Sequence, residues 1–122
     1  MGTAPSRSYR DLIVWQRAMD LVEAVYQETR SWPAAERYGL TNQVQRAVVS
    51  VPSNIAEGQA LPGPNEFTHR LSLAYGSLCE VETQLLIAVR LNYADHDVVA
   101  ELIEMTTEVA RLLHGLRRSL KR

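Results

Sequence analysis

Residues 38–58, YGLTNQVQRAVVSVPSNIAEG, decide the fold, because they carry two side-chain stripes at the spacing of an α-helix. The apolar stripe consists of Val44, Ala47, Val48, Val51 and Ile55. The polar stripe consists of Gln43, Arg46, Ser50, Asn54 and Glu57. A helix with two organised faces can contact a different structural element through each face. The pattern therefore predicts a helix that packs into a core on one side and meets a partner on the other.

Pro52 interrupts both stripes. An interior proline removes a backbone hydrogen bond and costs a helix about 3 kcal/mol. Because the apolar stripe continues beyond Pro52, we expect one helix kinked there, and not two separate helices. It begins between Ala34 and Thr41, with Thr41 as a candidate N-cap, and ends at Gly58 before a loop over residues 59–64.

The segment before this helix has the same periodicity and predicts a helix from about Asp11 to Arg30, ended by Pro33. Its predicted buried face is Leu12, Trp15, Met19, Val22, Tyr26 and Thr29. A third helix, capped by Asn65, buries Phe67, Leu71, Ala74, Leu78, Val81, Leu85 and Ala88. A fourth, capped by Asp95, buries Val99, Leu102, Thr106, Val109, Leu113, Leu116 and Leu120.

No segment shows the alternation of a β-strand, and the connections are mostly short. The sequence therefore predicts an all-α fold, an up-down-up-down four-helix bundle. A chain of 122 residues suits one domain. We assign that domain to residues 10–122 and expect residues 1–9 to form a disordered tail.

Two helices carry more apolar residues than one buried face requires. On the first helix these are Ala18, Leu21 and Val25, and on the third they are Leu73, Tyr75, Leu86, Ile87 and Val89. A wide core face explains them. Burial of a second stripe between copies of the chain explains them equally well, because large exposed apolar patches mark interfaces.

An antiparallel pairing of the second and third helices about residue 62 brings four polar pairs together. They are Arg46 with Glu80, Glu57 with Arg70, Gln43 with Gln84, and Ser50 with Ser77. We predict a polar zipper that fixes the alignment of the two helices, seen as Arg46–Glu80 and Glu57–Arg70 contacts. The alternative is that these groups line a ligand pocket. The sequence leaves open whether the stripe faces the interior of the bundle or a neighbouring subunit. The predicted stripe comprises Gln43, Arg46, Ser50, Asn54, Glu57, Arg70, Ser77 and Glu80.

The sequence offers little chemistry for catalysis. Bundles that hold two metal ions need a Glu-x-x-His motif on each of two helices. Only Glu66–His69 provides one, since residues 93 and 111, three before His96 and His114, are not acidic. Cys79, beside Leu78, is expected to be a small buried apolar group. No phosphate-binding glycine loop is present. We therefore predict no enzyme activity, no cofactor and no metal.

Charge and cysteine content limit the possible partners. The net charge is −1, which gives no general basic excess for nucleic-acid binding. The C-terminal end is locally basic through Arg111, Arg117, Arg118, Lys121 and Arg122. These cations either complement the helix C-terminus or contact RNA or DNA. A single cysteine fits a reducing compartment, and no apolar run approaches the length of a membrane span, so we expect a cytoplasmic protein.

Five segments together resemble a known family: Leu12–Gln16, Tyr38–Leu40, Ser50–Gly58, Glu66–Phe67 and Ala74–Leu78. The run SVPSNIAEG at residues 50–58 is the most specific. The chain resembles the bacterial family called 23S rRNA intervening-sequence protein or S23 ribosomal protein. The resemblance covers residues 9–93.

This resemblance implies a cytosolic bundle that assembles as a ring of five and has no assigned biochemical role. A related group, the accessory proteins of diversity-generating retroelements, binds a reverse transcriptase and nucleic acid through a strongly basic surface. The balanced charge of this chain departs from that pattern. Two hypotheses follow: a non-enzymatic, self-assembling scaffold or adaptor with an unknown partner, or an accessory protein that binds RNA or DNA.

Overall fold

The computed structural model describes residues 8–121 and is all-α. The four helices are α1 (Ile13–Thr29), α2 (Leu40–Ala60), α3 (Pro64–Arg90) and α4 (His96–Leu120). Two short 3-10 helices, Tyr9–Asp11 and Ala34–Glu36, precede α1 and α2. Residues 8–121 contain no β-strand. Each helix contacts its neighbours in the chain, and α1 also contacts α4, so the four helices close into a bundle. The contact between α2 and α3 is the most extensive.

Most of the predicted N-terminal tail, residues 1–9, lies outside the described residues, as does Arg122. The last two tail residues are described. Ser8 caps the first 3-10 helix, because its hydroxyl accepts a hydrogen bond from the backbone N–H of Arg10 at 3.0 Å. Tyr9 begins that helix.

The predicted buried face of α1 is only partly right: Thr29 is buried, and Leu12, Trp15 and Val22 are partly buried and pack against the edge of the core. The buried residues are Val14, Ala18, Leu21, Val25 and Thr29. Met19 and Tyr26, which were expected in the core, are 38% and 40% exposed. The helix has two neighbouring apolar stripes, and periodicity alone does not say which one faces inward. The stripe with the smaller side chains does, which lets α1 approach the rest of the bundle closely.

The core faces of α3 and α4 agree with the prediction. The seven expected residues of α3 are all buried. On α4 five of the seven expected residues are buried: Val99, Leu102, Thr106, Val109 and Leu113. The other two, Leu116 and Leu120, are partly buried and pack against the edge of the core. Asp95 caps α4, since its Oδ2 accepts hydrogen bonds from the backbone N–H groups of Asp97 and Val98 at 3.0 and 3.2 Å.

α2 begins at Leu40, inside the predicted range from Ala34 to Thr41, but its cap residue is Gly39, and the candidate cap Thr41 lies inside the helix. The cap residue of α3 is Gly63, whose φ of 95° suits glycine, so Asn65 also lies inside. Gly58 does not end α2, which runs to Ala60.

Gly58 serves packing between α2 and α3. A Cβ atom at this position would lie 2.6 Å from Cδ1 of Phe67 and 3.1 Å from Cβ of Arg70. Both distances are shorter than ordinary van der Waals contact. The glycine therefore lets the two helices approach each other closely beside their connection.

α2 is one continuous helix that includes a buried Pro52. The sequence prediction of a single helix is therefore right, and the kink at Pro52 remains a prediction. Because proline has no N–H, the carbonyl of Val48 lacks the donor that it would have in an uninterrupted helix.

Glu36 caps α2 from outside the helix. Its Oε1 accepts a hydrogen bond from the backbone N–H of Leu40 at 2.9 Å, and its Oε2 accepts one from the hydroxyl of Tyr93 at 2.8 Å. The bond from Leu40, followed by that from Tyr93, lowers the pKa of Glu36. The bond to Glu36 raises the pKa of Tyr93.

Candidate binding surfaces

Each pair of neighbouring helices borders a groove, and the four grooves differ in chemistry. We name them by their helices. The α1–α2 and α3–α4 grooves are mainly apolar, the α2–α3 groove is polar, and the α1–α4 groove has an acidic part and a more apolar part. The two apolar grooves share no helix, so they lie at opposite edges of the bundle.

The α1–α2 groove contains the apolar face that the sequence predicted to be core. Its cavity is about 310 Å³ and is lined by Tyr9, Trp15, Met19, Val22, Val49, Pro52, Ser53 and Ala56. Three of these residues, Trp15, Met19 and Val22, belong to the predicted buried stripe of α1. The stripe therefore lines an open groove, which leaves apolar surface in contact with solvent.

The α3–α4 groove is the apolar counterpart on the other side. Its cavity is about 440 Å³ and is lined by Leu86, Val89, Arg90, His96, Val99, Ala100, Ile103 and Glu104. Leu86 is 46% exposed. Further along the same helix pair, the rings of Tyr75 and His114 lie 4.8 Å apart between their centroids.

Cys79 is exposed, so the prediction of a buried cysteine is wrong. Leu78 occupies the core position instead. Successive residues of a helix are turned by about 100°, which places Cys79 on the outer surface.

The polar stripe is partly closed by contacts between α2 and α3. Nη1 of Arg70 contacts Oε1 of Glu57 at 2.9 Å, and its Nε contacts Oε2 of Glu66 at 2.8 Å. The hydrogen bond to Glu66 is the main cause of a raised pKa for Arg70. The hydroxyl oxygens of Ser50 and Ser77 are hydrogen-bonded at 2.5 Å. The structure thus contains the expected Glu57–Arg70 and Ser50–Ser77 contacts.

The expected Arg46–Glu80 ion pair does not form in the described part of the chain. The observed Glu57–Arg70 and Ser50–Ser77 contacts set a register in which facing residue numbers sum to 127. The predicted Gln43–Gln84 pair has the same sum, whereas the numbers of Arg46 and Glu80 sum to 126. This register places Ala47 opposite Glu80. Arg46 and Glu80 nevertheless border the same cavity.

The cavity between α2 and α3 is about 400 Å³ and is lined by Asn42, Gln43, Arg46, Ala47, Ser50, Glu80 and Gln84. Gln43 and Gln84 thus border one space, as the predicted pairing requires, without a hydrogen bond between them. Asn54 does not cross to α3, since its side-chain N–H donates to the backbone carbonyl of Ser50 at 2.9 Å.

The α1–α4 groove holds an acidic cavity of about 240 Å³, lined by Arg17, Asp20, Glu101, Glu104, Met105 and Glu108. A second cavity between the same helices is about 420 Å³ and more apolar, lined by Ala24, Gln27, Glu28, Val98, Glu101, Leu102 and Met105. Within residues 8–121, no three His, Cys, Asp or Glu side chains are arranged to hold a metal ion. Glu66, from the single Glu-x-x-His motif, is instead bound to Arg70.

The basic C-terminal cluster is smaller than its sequence indicates. The guanidinium of Arg111 contacts both carboxylate oxygens of Glu108 at 2.7 Å, which lowers the pKa of Glu108 and raises that of Arg111. Arg117 is half-buried, and its buried Nε has no hydrogen-bond partner among the described residues. Arg118 and Lys121 are exposed.

Among the described residues, no helix combines the length and the apolar character that crossing a membrane requires.

Comparison with known proteins places this bundle among similar folds. A crystal structure at 1.70 Å resolution, of a protein with unknown function from the S23 ribosomal protein family of Bacteroides thetaiotaomicron VPI-5482, is similar with a TM-score of 0.77. The two sequences are 18% identical, and the alignment covers 86% of this chain and 98% of that one. This likeness supports the fold alone. No curated protein matches the chain.

The sequence profile of the 23S rRNA-intervening sequence proteins matches residues 10–115, which is most of the chain. The matched range includes all of α1, α2 and α3 and most of α4. The chain therefore belongs to the 23S rRNA-intervening sequence protein family.

Proposed function

We propose that this protein is a non-enzymatic cytoplasmic scaffold that assembles into a homo-oligomer, a ring of five, and acts by binding a protein partner. The observation that carries the proposal is the apolar α1–α2 groove, into which α1 directs Trp15, Met19 and Val22. Apolar side chains left at an open groove are stabilised when another surface covers them.

A second copy of the chain is the occupant that this geometry favours. A ring needs two different surfaces on each copy, because each subunit contacts its neighbours through opposite sides. The α1–α2 and α3–α4 grooves are two such surfaces. Both are apolar, and they lie at opposite edges of the bundle.

Several contacts support a role without catalysis. The carboxylates of Glu57 and Glu66 are held by Arg70, and that of Glu108 is held by Arg111. A general acid or base must reach the proton that it transfers. In this bundle these carboxylates instead serve to link or brace helices.

Light scattering after size exclusion tests the assembly. Met19→Glu and Leu86→Glu each place a charge in one apolar groove, and we expect both to lower the mass from that of five chains. Ile13→Glu is the matched control, since Ile13 is 58% exposed at the start of α1 but lines neither groove. A wild-type monomer contradicts the proposal. So does a mass that falls for Ile13→Glu but not for the groove variants.

A second candidate function is RNA or DNA binding by the C-terminal end of α4. The favouring observation is the exposure of Arg118 and Lys121 next to Arg117, whose Nε has no protein partner. Phosphate contacts weaken as salt rises. We expect a salt-sensitive mass shift with RNA that Arg118→Gln with Lys121→Gln abolishes. An unchanged mass with RNA at low salt contradicts this function and leaves the scaffold proposal intact.

A further inference from the structure

The α2–α3 groove is closed at one end and open at the other. Beside the helix connection, Gly58 allows close approach and Arg70 bridges Glu57 and Glu66. Two turns further along, Ser50 and Ser77 still touch. Beyond them no polar contact joins the two helices within residues 8–121, and the groove widens into the cavity of about 400 Å³.

The open end contains several polar side chains that make no hydrogen bond to another described side chain. The side chains of Gln43, Arg46, Glu80 and Gln84 border it, and within the described residues none of them makes a hydrogen bond or ion pair. Oε1 of Gln84 is buried and accepts no hydrogen bond. A buried acceptor without a donor is uncommon in folded proteins and marks a place where a donor is expected.

Arg46 and Glu80 add opposite charges to this end. They lie on different helices and border the same cavity, yet they do not pair with each other. A guanidinium recognises a carboxylate through two parallel hydrogen bonds, and a carboxylate recognises an ammonium. A ligand with one charge satisfies only one of these residues, whereas a ligand with both charges satisfies both.

We propose that the open end of the α2–α3 groove binds a small zwitterion, a free α-amino acid with a polar side chain. Its carboxylate contacts Arg46, its ammonium contacts Glu80, and the amides of Gln43 and Gln84 contact its side chain. The cavity volume lies in the range of small-ligand sites, roughly 300–1,000 Å³. None of these residues lines an apolar groove, so the site does not depend on the assembly proposed above.

Titration of isotope-labelled full-length protein with L-glutamine, followed by the NMR shifts of backbone amides, tests the site. We expect saturable shifts centred on Arg46 and Glu80. Acetate and methylamine together carry the same charges on separate molecules, and we expect the mixture to bind at least about 10-fold more weakly because the charges are no longer linked.

Four variants make the test specific. Arg46→Gln and Glu80→Gln should each weaken glutamine binding about 10-fold or more, since each removes the charge that strengthens the hydrogen bond to the oppositely charged group of the ligand. Arg30→Gln and Glu23→Gln change exposed charges that do not line the cavity and should bind like the wild type. Arg46, Glu80 and Glu23 lie on exposed helix surfaces and Arg30 is the exposed C-cap residue of α1, and circular dichroism checks that the variants fold.

Three results overturn the proposal: no saturation up to the solubility of glutamine, equal binding of the acetate and methylamine mixture, or wild-type affinity in Arg46→Gln or Glu80→Gln. Suppose that glutamine binding does not saturate, and that a double-mutant cycle of unfolding free energies shows coupling between Arg46 and Glu80. These two residues then form a direct ion pair in solution.

Discussion

Tyr93 donates its hydroxyl to Oε2 of Glu36 at 2.8 Å and so ties the chain after α3 to the chain before α2. The other oxygen of the same carboxylate caps α2 through the N–H of Leu40. A Cβ at position 39 would lie 2.6 Å from Oε1 of Glu36, so glycine leaves the carboxylate room to reach the helix. The side chain of Glu36 therefore both caps α2 and links the segment before α2 to the segment after α3.

Glu36→Gln is expected to lower the melting temperature at neutral pH, because an amide oxygen is a weaker acceptor than a carboxylate. The folded pKa of Glu36 is lowered. Its stabilisation is therefore present above the unfolded pKa, about 4.3, and is lost as pH falls through the lower folded value. Thermal unfolding of both proteins between neutral and acidic pH measures this effect. A gap between the two melting temperatures that stays constant on acidification contradicts the assignment.

Tyr93→Phe removes the same hydrogen bond from its other side and should also lower stability at neutral pH. The folded pKa of Tyr93 is raised. Its stabilisation is therefore present below the unfolded pKa, about 10, and is lost as pH rises through the higher folded value. Combining Tyr93→Phe with Glu36→Gln should cost less than the sum of the single changes, as urea unfolding of all four proteins will measure. Strict additivity would show that the two residues act separately.

Gly58→Ala should destabilise the fold by roughly 1–3 kcal/mol, because the added methyl group collides with Phe67 and pushes α2 from α3. Gly76→Ala is the matched control. Gly76 lies on the exposed side of α3, and a Cβ there meets nothing within 4 Å. This second change should stabilise α3 by about 0.5–1 kcal/mol through helix propensity. Denaturant unfolding separates the two outcomes, and equal effects would refute the close approach at Gly58.

Leu21→Ala tests which face of α1 is buried. Leu21 is fully buried, so its truncation should cost roughly 2–5 kcal/mol. Met19→Ala should cost much less in a dissociated chain, since Met19 is 38% exposed. Urea unfolding at a concentration low enough to prevent assembly compares them. A larger loss of unfolding free energy for Met19→Ala than for Leu21→Ala would indicate that the face predicted from periodicity is the buried one.

The sequence predicted the inward faces of α3 and α4 well, because on both helices the longest regularly spaced apolar stripe is the buried one, although α3 carries further apolar residues beside it. It was only partly right on α1, where two stripes of similar length adjoin and only tertiary packing selects one. Gly58 was interpreted as a helix end from its backbone freedom, whereas its lack of a side chain is what the structure uses. Local signals do not distinguish these two roles of glycine.

The polar groove was predicted in part. Charge and spacing found Glu57–Arg70 and Ser50–Ser77, since antiparallel helices with a short connection have few possible registers. Arg46 and Glu80 are one residue off the register that the two observed contacts share, and one residue turns a side chain about a helix axis by roughly 100°. The cap from Glu36 was missed because the standard signal places the cap residue next to the helix.

The three-residue connection between α2 and α3 has a consequence for the order of folding. Residues 61–63 join the two helices with the most extensive mutual contact, so little chain entropy is lost when they come together. Contacts that are close in sequence form early. We therefore expect the α2–α3 hairpin to form the folding nucleus, aligned by the Glu57–Arg70 contact, before α1 and α4 dock. Mutations in this hairpin should mainly slow folding, and mutations in α1 should mainly speed unfolding.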